Sequence, residues 1–245
     1  MEVNKIYNID CLIGMKNIPN KSIDMILCDL PYGTTQNKWD SVIPLDKLWE
    51  QYCRIIKDNG AIVLFAQTPF DKVLGSSNLK MLRYEWIWEK TTATGHLNAK
   101  KMPMKAHENI LVFYKKLPTY NPQKTTGHTP VHSYTKHQDD GSNYGKTVVG
   151  ISGGGSTERY PRSVQRFKSD KQKCALHPTQ KPVELLEYLI KTYTNEGDLV
   201  LDNCMGSGST AVACLNTNRK FLGFELDENY FNIANKRLEK MFNPS

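Results

Sequence analysis

The chain has 245 residues, a net charge of +7 and an apolar fraction of 39%, which suffices for one α/β core with an insert. The longest uninterrupted apolar run, residues 61–66, is far too short to span a bilayer, and the N-terminus lacks a signal-peptide pattern. The six cysteines include no CxxC pair and so indicate neither a zinc site nor a disulfide framework; we expect a cytoplasmic protein with no metal and no membrane contact.

Strands and helices are predicted to alternate along most of the chain. Helices are predicted at 9–18, 45–56, 183–194 and 230–242. Short apolar runs typical of strands lie at 3–8, 23–28, 61–66, 83–89, 109–114, 199–202 and 221–225. A turn is predicted at 58–60, where Asp-Asn-Gly precedes a strand. This alternation predicts an α/β fold with a doubly wound, mixed but mostly parallel sheet.

The positive charge is concentrated in one segment. Residues 100–174 contain 14 Lys and Arg but only 5 Asp and Glu, whereas the rest of the chain is close to neutral. A local basic excess is typical of a surface that binds phosphates, although a solvated, partly disordered loop region has the same composition. We predict a domain formed by 1–117 and 176–245, with an insert at 118–175.

The first chemical motif is the tetrad Asp29-Leu30-Pro31-Tyr32, which follows the strand predicted at 23–28. Open α/β sheets bind their ligands at the carboxyl ends of strands. A carboxylate and a backbone carbonyl can accept the two hydrogens of an exocyclic amino group, and a tyrosine offers a face on which a planar base can stack. The proline stiffens the turn. Taken alone, such a tetrad is also found as a plain turn.

A second motif lies near the other end of the chain. The strand at 199–202 ends in Asp202 and is followed by Gly206-Ser207-Gly208-Ser209 and a helix start. Glycines let a backbone approach a ligand closely, and the helix start offers free N–H groups. About 20 residues further on, Glu225 ends another strand, where an acid can bind both ribose hydroxyls. The turn lacks the dinucleotide fingerprint, so it favours a ribose cofactor without phosphates, namely S-adenosylmethionine.

With these blocks the chain resembles the amino-directed DNA methyltransferases of the permuted (β) class. In that family an Asp-Pro-Pro-Tyr block precedes a glycine-rich cofactor block, and here 29–32 precede 202–209. Residues 177–186 match the family segment just upstream of the glycine turn. Leu30 stands where the family has proline, and Asn203 and Cys204 replace its usual proline and phenylalanine. The resemblance implies a Rossmann-like class I methyltransferase domain, with 118–175 as the target-recognition insert.

The resemblance also implies roles for individual residues. Asp29, Leu30, Pro31 and Tyr32 would form the catalytic block, in which Asp29 and the Leu30 carbonyl accept hydrogens from the base. Residues expected to contact the cofactor are Asp10, Cys11, Asp29, Thr179, Gln180, Lys181, Asp202, Gly206, Ser207, Gly208, Ser209 and Glu225.

Within this set the family assigns different parts of the cofactor to different residues. Asp10 would meet the adenine amino group, Asp202 the methionine amino group, and residues 179–181 the carboxylate. Plain structural explanations remain open for all three, and for Asp202 it is an acid at a strand-end turn. Asp10 precedes a helix and would serve as its N-cap. Thr179 and Lys181 would be a cap and a surface lysine before Pro182 opens a helix.

Double-stranded DNA is the predicted macromolecular partner. Candidate DNA contacts are Trp39, Lys100, Lys101, Lys105, Arg159, Arg162 and Arg166. Trp39 follows the catalytic block and is alternatively a core anchor. His107 and Glu108 resemble a family block that borders the target-base pocket. A second copy of the chain and a cognate restriction endonuclease are further candidate partners.

The predicted reaction transfers a methyl group from S-adenosylmethionine to the exocyclic amino group of a flipped base. N6 of adenine is the preferred target, because family members with aspartate at the head of the tetrad mostly modify adenine. N4 of cytosine is the near alternative, and an inactive DNA-binding protein on the same fold is the distant one.

Overall fold

The structure is a computed structural model that describes residues 1–33, 42–135, 150, 152–169 and 180–242. The chain divides into two compact units. The larger contains Met1–Asn121 and Ser163–Ser245, and the smaller contains Pro122–Arg162. Within the described residues, no helix is long and apolar enough to cross a membrane.

The larger unit is built on an eight-stranded sheet in the order β1-β10-β9-β2-β3-β5-β4-β8. Its strands are β1 Lys5–Tyr7, β2 Ile23–Asp29, β3 Ile56–Ala66, β4 Leu82–Thr94, β5 Lys105–Phe113, β8 Val164–Phe167, β9 Leu199–Asp202 and β10 Lys220–Phe224. All neighbouring pairs are parallel except β3–β5 and β5–β4. The prediction of a mixed, mostly parallel sheet is therefore confirmed.

Helices cover both faces of this sheet, so it is doubly wound as predicted. The helices are α1 Cys11–Met15, α2 Leu45–Ile55, α3 Phe70–Ser77, α4 Val183–Tyr193, α5 Ser209–Asn216 and α6 Glu228–Phe242. Alternate residues of β2 show the division, because successive side chains of a strand point to opposite faces. Met25 and Leu27 pack in one core with α4, α5 and α6. Ile26 and Cys28 pack in the other with α1, α2 and α3.

Local prediction was wrong at the turn expected at 58–60. These residues continue β3, and the pairing of β2 with β3 shifts register between Ile23 and Met25. A Cβ at Gly60 would lie 2.7 Å from the Asp24 backbone oxygen, so the glycine is needed for close strand packing rather than for a turn. Helix α3 was not predicted, and β4 extends beyond the predicted 83–89 to Thr94.

The smaller unit contains little regular structure among its described residues. Strands β6, Tyr134–Thr135, and β7, Ser152–Gly153, form an antiparallel pair. A bridge joins Thr125 to Arg159, and the Lys124 ammonium pairs with Glu158 at 2.8 Å. The segment predicted as an insert, 118–175, covers this unit and also β8 of the main sheet. Its role in target recognition stays a prediction.

Candidate active site

The topology brings the two sequence motifs to one edge of the sheet. Strands β10, β9 and β2 are adjacent and parallel, so their carboxyl ends lie at the same edge. Asp29 ends β2, Asp202 ends β9, and Glu225 follows β10. This edge, called here the catalytic edge, is where an open α/β sheet binds its ligands. Residues separated by about 170 positions in sequence thus become neighbours through strand order alone.

Both carboxylate oxygens of Asp29 accept a hydrogen bond from another side chain of the protein. The Tyr32 hydroxyl donates to Oδ1 at 2.6 Å, and the Lys181 ammonium donates to Oδ2 at 2.6 Å. The Tyr32 ring lies against Phe70, with ring centroids 5.2 Å apart. Leu30 is buried in the core below the tetrad. The carboxylate is therefore held in one orientation while its side chain stays 25% exposed.

Lys181 links Asp29 to a buried ionic network. Its ammonium lies 3.2 Å from Glu108 Oε2, and the Lys90 ammonium lies 2.5 Å from Glu108 Oε1. The Lys181 side chain is only 8% exposed, and its ammonium also sits over the Phe65 ring at 5.2 Å. Sequence analysis missed Lys90 and treated Glu108 only as a border of the base pocket. The sequence did offer a signal for both residues, because each is a charged residue next to an apolar strand run: Lys90 follows the run at 83–89, and Glu108 precedes the run at 109–114.

The network sets the charge states of its members. Burial favours the neutral amine of Lys181, but the carboxylates of Asp29 and Glu108 outweigh it and raise its pKa. Burial favours the protonated acid at Glu108, yet Lys181 and Lys90 prevail and lower its pKa. For Asp29, burial raises the pKa and the nearby Glu108 adds to it, while Lys181 opposes both. Asp29 is thus a stronger proton acceptor than an exposed aspartate.

The glycine turn is held by carboxylates on both sides. The Cys204 N–H donates to Asp202 Oδ1 at 3.0 Å, and the Gly206 N–H donates to Glu225 Oε2 at 2.7 Å. Gly206 and Gly208 have φ values of 55° and 82°, a region that disfavours side chains. The other Glu225 oxygen, Oε1, accepts from the Asp227 N–H at 2.8 Å, so Glu225 positions the turn, and its binding of a ribose stays a prediction. Burial raises the pKa of Asp202 to about 6 and also raises that of Glu225.

Asn203, one of the departures from the family pattern, has a structural explanation. Its side-chain oxygen accepts a hydrogen bond from the buried Tyr52 hydroxyl of α2. Its side-chain nitrogen lies 3.4 Å from the Cys204 sulfur. A hydrogen bond from a neighbouring helix therefore fixes the turn at the position where the family uses the rigidity of proline.

Asp10 and Cys11 follow a segment that is hydrogen-bonded to the Glu225 backbone. The Glu225 N–H donates to the Tyr7 carbonyl at 3.0 Å, and the Asn8 amide donates to the Glu225 carbonyl at 2.8 Å. Asp10 Oδ1 accepts from the Ile13 N–H at 3.1 Å, so Asp10 is the N-cap of α1. Cys11 is buried at the start of the same helix. That Asp10 and Cys11 contact the adenine ring of the cofactor stays a prediction.

The hydrogen-bond acceptors at the catalytic edge fit S-adenosylmethionine. Asp202 and Glu225 are carboxylates of the kind that bind an ammonium and a ribose diol. The buried side-chain oxygen of Gln180 has no hydrogen-bond partner among the described residues. Such an acceptor is costly unless a donor meets it, and a donor on a bound ligand would do so. Thr179 lies outside the described residues.

The candidate DNA contacts are dispersed. Lys100, Lys101 and Lys105 are exposed where β4 connects to β5. Arg166 lies on β8, 3.9 Å from Glu89. Arg159 and Arg162 belong to the smaller unit, where the Arg159 guanidinium donates to the carbonyls of three residues, Thr129, Ser156 and Glu158. Trp39 lies outside the described residues.

Known proteins are similar to this chain over nearly its whole length. The Type II methyltransferase M1.MboII of Moraxella bovis is 29% identical over 259 aligned positions, 98% of each chain. The DNA adenine methyltransferase YhdJ of Escherichia coli (strain K12) is 28% identical, with 97% of this chain and 83% of YhdJ covered. The crystal structure of the M1.HpyAVI–SAM complex has the same fold, with a TM-score of 0.63 at 24% identity, covering 95% of this chain and 98% of that one.

The region that matches a family model includes both motifs and the ionic network between them. The model of the N6/N4 DNA methylases matches residues 23–236, which include the tetrad, Lys90, Glu108, Lys181 and the glycine turn. Because the match spans most of the chain, this protein belongs to the N6/N4 family of DNA methylases.

Proposed function

We propose that this protein methylates N6 of adenine at a specific sequence in double-stranded DNA. Family membership carries the coarser statement, that it is an amino-directed DNA methyltransferase that uses S-adenosylmethionine. The observation that carries the proposal is the Asp29 carboxylate, oriented by two donors at the edge that also holds Asp202 and Glu225. Adenine is preferred because relatives such as YhdJ are named for it, and N4 of cytosine is the alternative.

The reaction requires the base amino nitrogen to become a nucleophile. Its lone pair is delocalised into the ring, so Asp29 and the Leu30 carbonyl accept its two hydrogens and favour a tetrahedral nitrogen. When bound, S-adenosylmethionine supplies an electrophilic methyl group on a sulfonium. Asp29 then takes the proton that the methylated nitrogen releases, a step favoured by its raised pKa. Positioning of the two reactants provides much of the remaining acceleration.

Entry of the base requires rearrangement at the tetrad. A base amino group inside a duplex cannot reach Asp29, so the nucleotide must be flipped into the pocket. In this structure the Tyr32 hydroxyl donates a hydrogen bond to Asp29 Oδ1, the oxygen that the base amino group would need. We infer that this hydroxyl yields to the amino group, while Lys181 stays on Oδ2 and keeps the carboxylate oriented. The freed Tyr32 ring then stacks on the base.

The chemical identity of the product tests this proposal. Genomic DNA is incubated with the protein and S-adenosylmethionine carrying a tritiated methyl group, digested to nucleosides and separated by chromatography. We expect label in N6-methyldeoxyadenosine. Label in N4-methyldeoxycytidine would select the alternative target. DNA binding without label would indicate an inactive DNA-binding protein. Sequencing of the methylated DNA identifies the recognition site.

Cofactor affinity should fall as the pH is lowered through about 6, the pKa to which burial raises the Asp202 carboxyl. An ammonium group binds the ionised carboxylate, so protonation of Asp202 opposes binding. Well below that pKa, the Kd for S-adenosylmethionine should rise by up to about tenfold per pH unit. Calorimetry across this range measures the effect, and Asp202→Asn should bind weakly with little pH dependence. A wild-type Kd that does not change with pH would contradict this role.

The remaining elements of the proposal concern the cell. We infer from cysteine usage that the protein acts in the cytoplasm. A second copy of the chain and a cognate restriction endonuclease remain candidate partners, which sedimentation analysis and examination of the neighbouring genes would test.

A further inference from the structure

The connection between β4 and β5, residues 95–104, emerges at the catalytic edge. Strand β5 is antiparallel to both β3 and β4, so β4 runs in the direction of β3 and β2. Its carboxyl end therefore lies at the edge where Asp29 ends β2. The Lys105 ammonium, at the start of β5, donates to the Gln67 side chain just beyond β3 at 3.3 Å. Glu108, which contacts Lys181, follows only three residues later, about 10 Å along the strand.

The tip of this connection is structured rather than extended. Residues His96–Asn98 form a 3₁₀ turn that follows Gly95, whose φ is 90°. The Asn98 carbonyl then accepts the N–H groups of Lys101 and Met102 at 2.9 and 3.0 Å. The backbone thus has its own hydrogen bonds, and Leu97 is the apolar residue of the exposed 3₁₀ turn at the tip.

The Leu97 side chain is almost fully exposed, and the chain on either side of it is basic. Its side chain is 99% exposed, and Met102 and Met104 of the same connection are also exposed. Residues 90–107 contain four lysines and no aspartate or glutamate. Among the described residues, none forms an ion pair with Lys100 or Lys101. An apolar tip flanked by unneutralised lysines is complementary to a polyanion with an apolar interior.

We propose that Leu97 is a wedge that enters the base stack of duplex DNA and fills the gap left by the flipped nucleotide. Lys100 and Lys101 would lie on the flanking phosphates. This inference rests on the proposed function, because an enzyme that acts on a base amino group inside a duplex needs to extrude the base. Leucine is among the side chains that proteins insert between base steps. An aqueous gap would leave the neighbouring bases unstacked, whereas an apolar side chain restores contact with their faces.

The experiment compares Leu97→Ala with wild type on two duplexes that carry the mapped recognition site. In one duplex the target base is paired, and in the other it faces an abasic position and is already free to flip. For the paired duplex we expect kcat/KM to fall by about tenfold or more. For the opened duplex we expect Leu97→Ala to remain within about threefold of wild type. Leu97→Phe, which keeps an apolar wedge, should retain most activity on both.

A matched control is available at the opposite edge. Leu117 is 77% exposed and follows the carboxyl end of the antiparallel strand β5. Leu117→Ala should therefore leave both rates unchanged.

Three results would overturn the proposal while leaving the proposed function standing. Unchanged activity of Leu97→Ala on the paired duplex would remove Leu97 from the interface. An equal loss on both duplexes would indicate a general contact or a folding defect rather than a wedge. A change of mass in sedimentation, together with an equal loss, would assign Leu97 to an interface between copies of the chain. If wild type methylates neither duplex, the proposed function itself fails, and this inference fails with it.

Discussion

Replacement of Asp29 by asparagine should reduce kcat for methyl transfer by about 10²- to 10⁴-fold, the usual contribution of a general base. Asparagine has nearly the same shape, but it carries no charge and cannot take the proton released by the methylated nitrogen. Affinity for DNA should change little, because the carboxylate acts mainly in the transition state. Single-turnover assays with tritiated cofactor, together with equilibrium binding, measure the two quantities separately.

Asp24 provides the matched control for this variant. It lies on the same strand, away from the catalytic edge, and it also pairs with a lysine, Lys57, at 2.6 Å. Asp24→Asn should retain nearly full kcat. If Asp29→Asn keeps more than about a tenth of wild-type kcat, a loss below about 1.4 kcal/mol, then Asp29 is not the acceptor.

Replacement of Lys181 by methionine should destabilise the fold by about 3 kcal/mol, because it leaves the Asp29 and Glu108 carboxylates without their shared cation. The Lys181 side chain is 8% exposed, so solvent cannot compensate fully. Lys57→Met is the control: that ion pair is just as short, but the Lys57 side chain is 40% exposed. Its loss should cost less than about 1 kcal/mol. Urea unfolding measures both changes.

A double variant separates charge from packing. Glu108→Gln should cost less free energy of unfolding when added to Lys181→Met than in wild type, because the contact with Lys181 is already absent there, while the pair with Lys90 is lost in both backgrounds. If Glu108→Gln adds its own full cost instead, Glu108 and Lys181 do not interact across the distance seen in the structure.

The pH profile of Lys181→Met distinguishes two roles for this lysine. Asp29 must be ionised to accept hydrogens, and Lys181 lowers its pKa against the effect of burial. Without the ammonium, the pKa of Asp29 rises further, so the acidic limb of kcat should move to higher pH. An unchanged limb with a raised KM for S-adenosylmethionine would instead assign Lys181 to the cofactor carboxylate, as the family resemblance implies.

The sequence by itself determined the class of chemistry. Asp29-Leu30-Pro31-Tyr32 and the turn at 206–209 are local patterns, because a strand end and a tight turn are specified by residues close together in the chain. Their order along the chain identified the family, and the alternation of strands and helices predicted the doubly wound sheet. These inferences needed no information about which strands are neighbours.

Only the tertiary structure decided which side chains meet. Hydrophobic periodicity shows which face of a strand is buried, but it does not give strand order or direction. The sequence therefore could not show that Lys90 and Glu108, from the antiparallel pair β4 and β5, would reach Lys181 beside Asp29. It could not place Leu97 at the catalytic edge either, since that depends on β4 running parallel to β2. Buried ion pairs and loop positions of this kind arise from long-range packing, which local patterns do not encode.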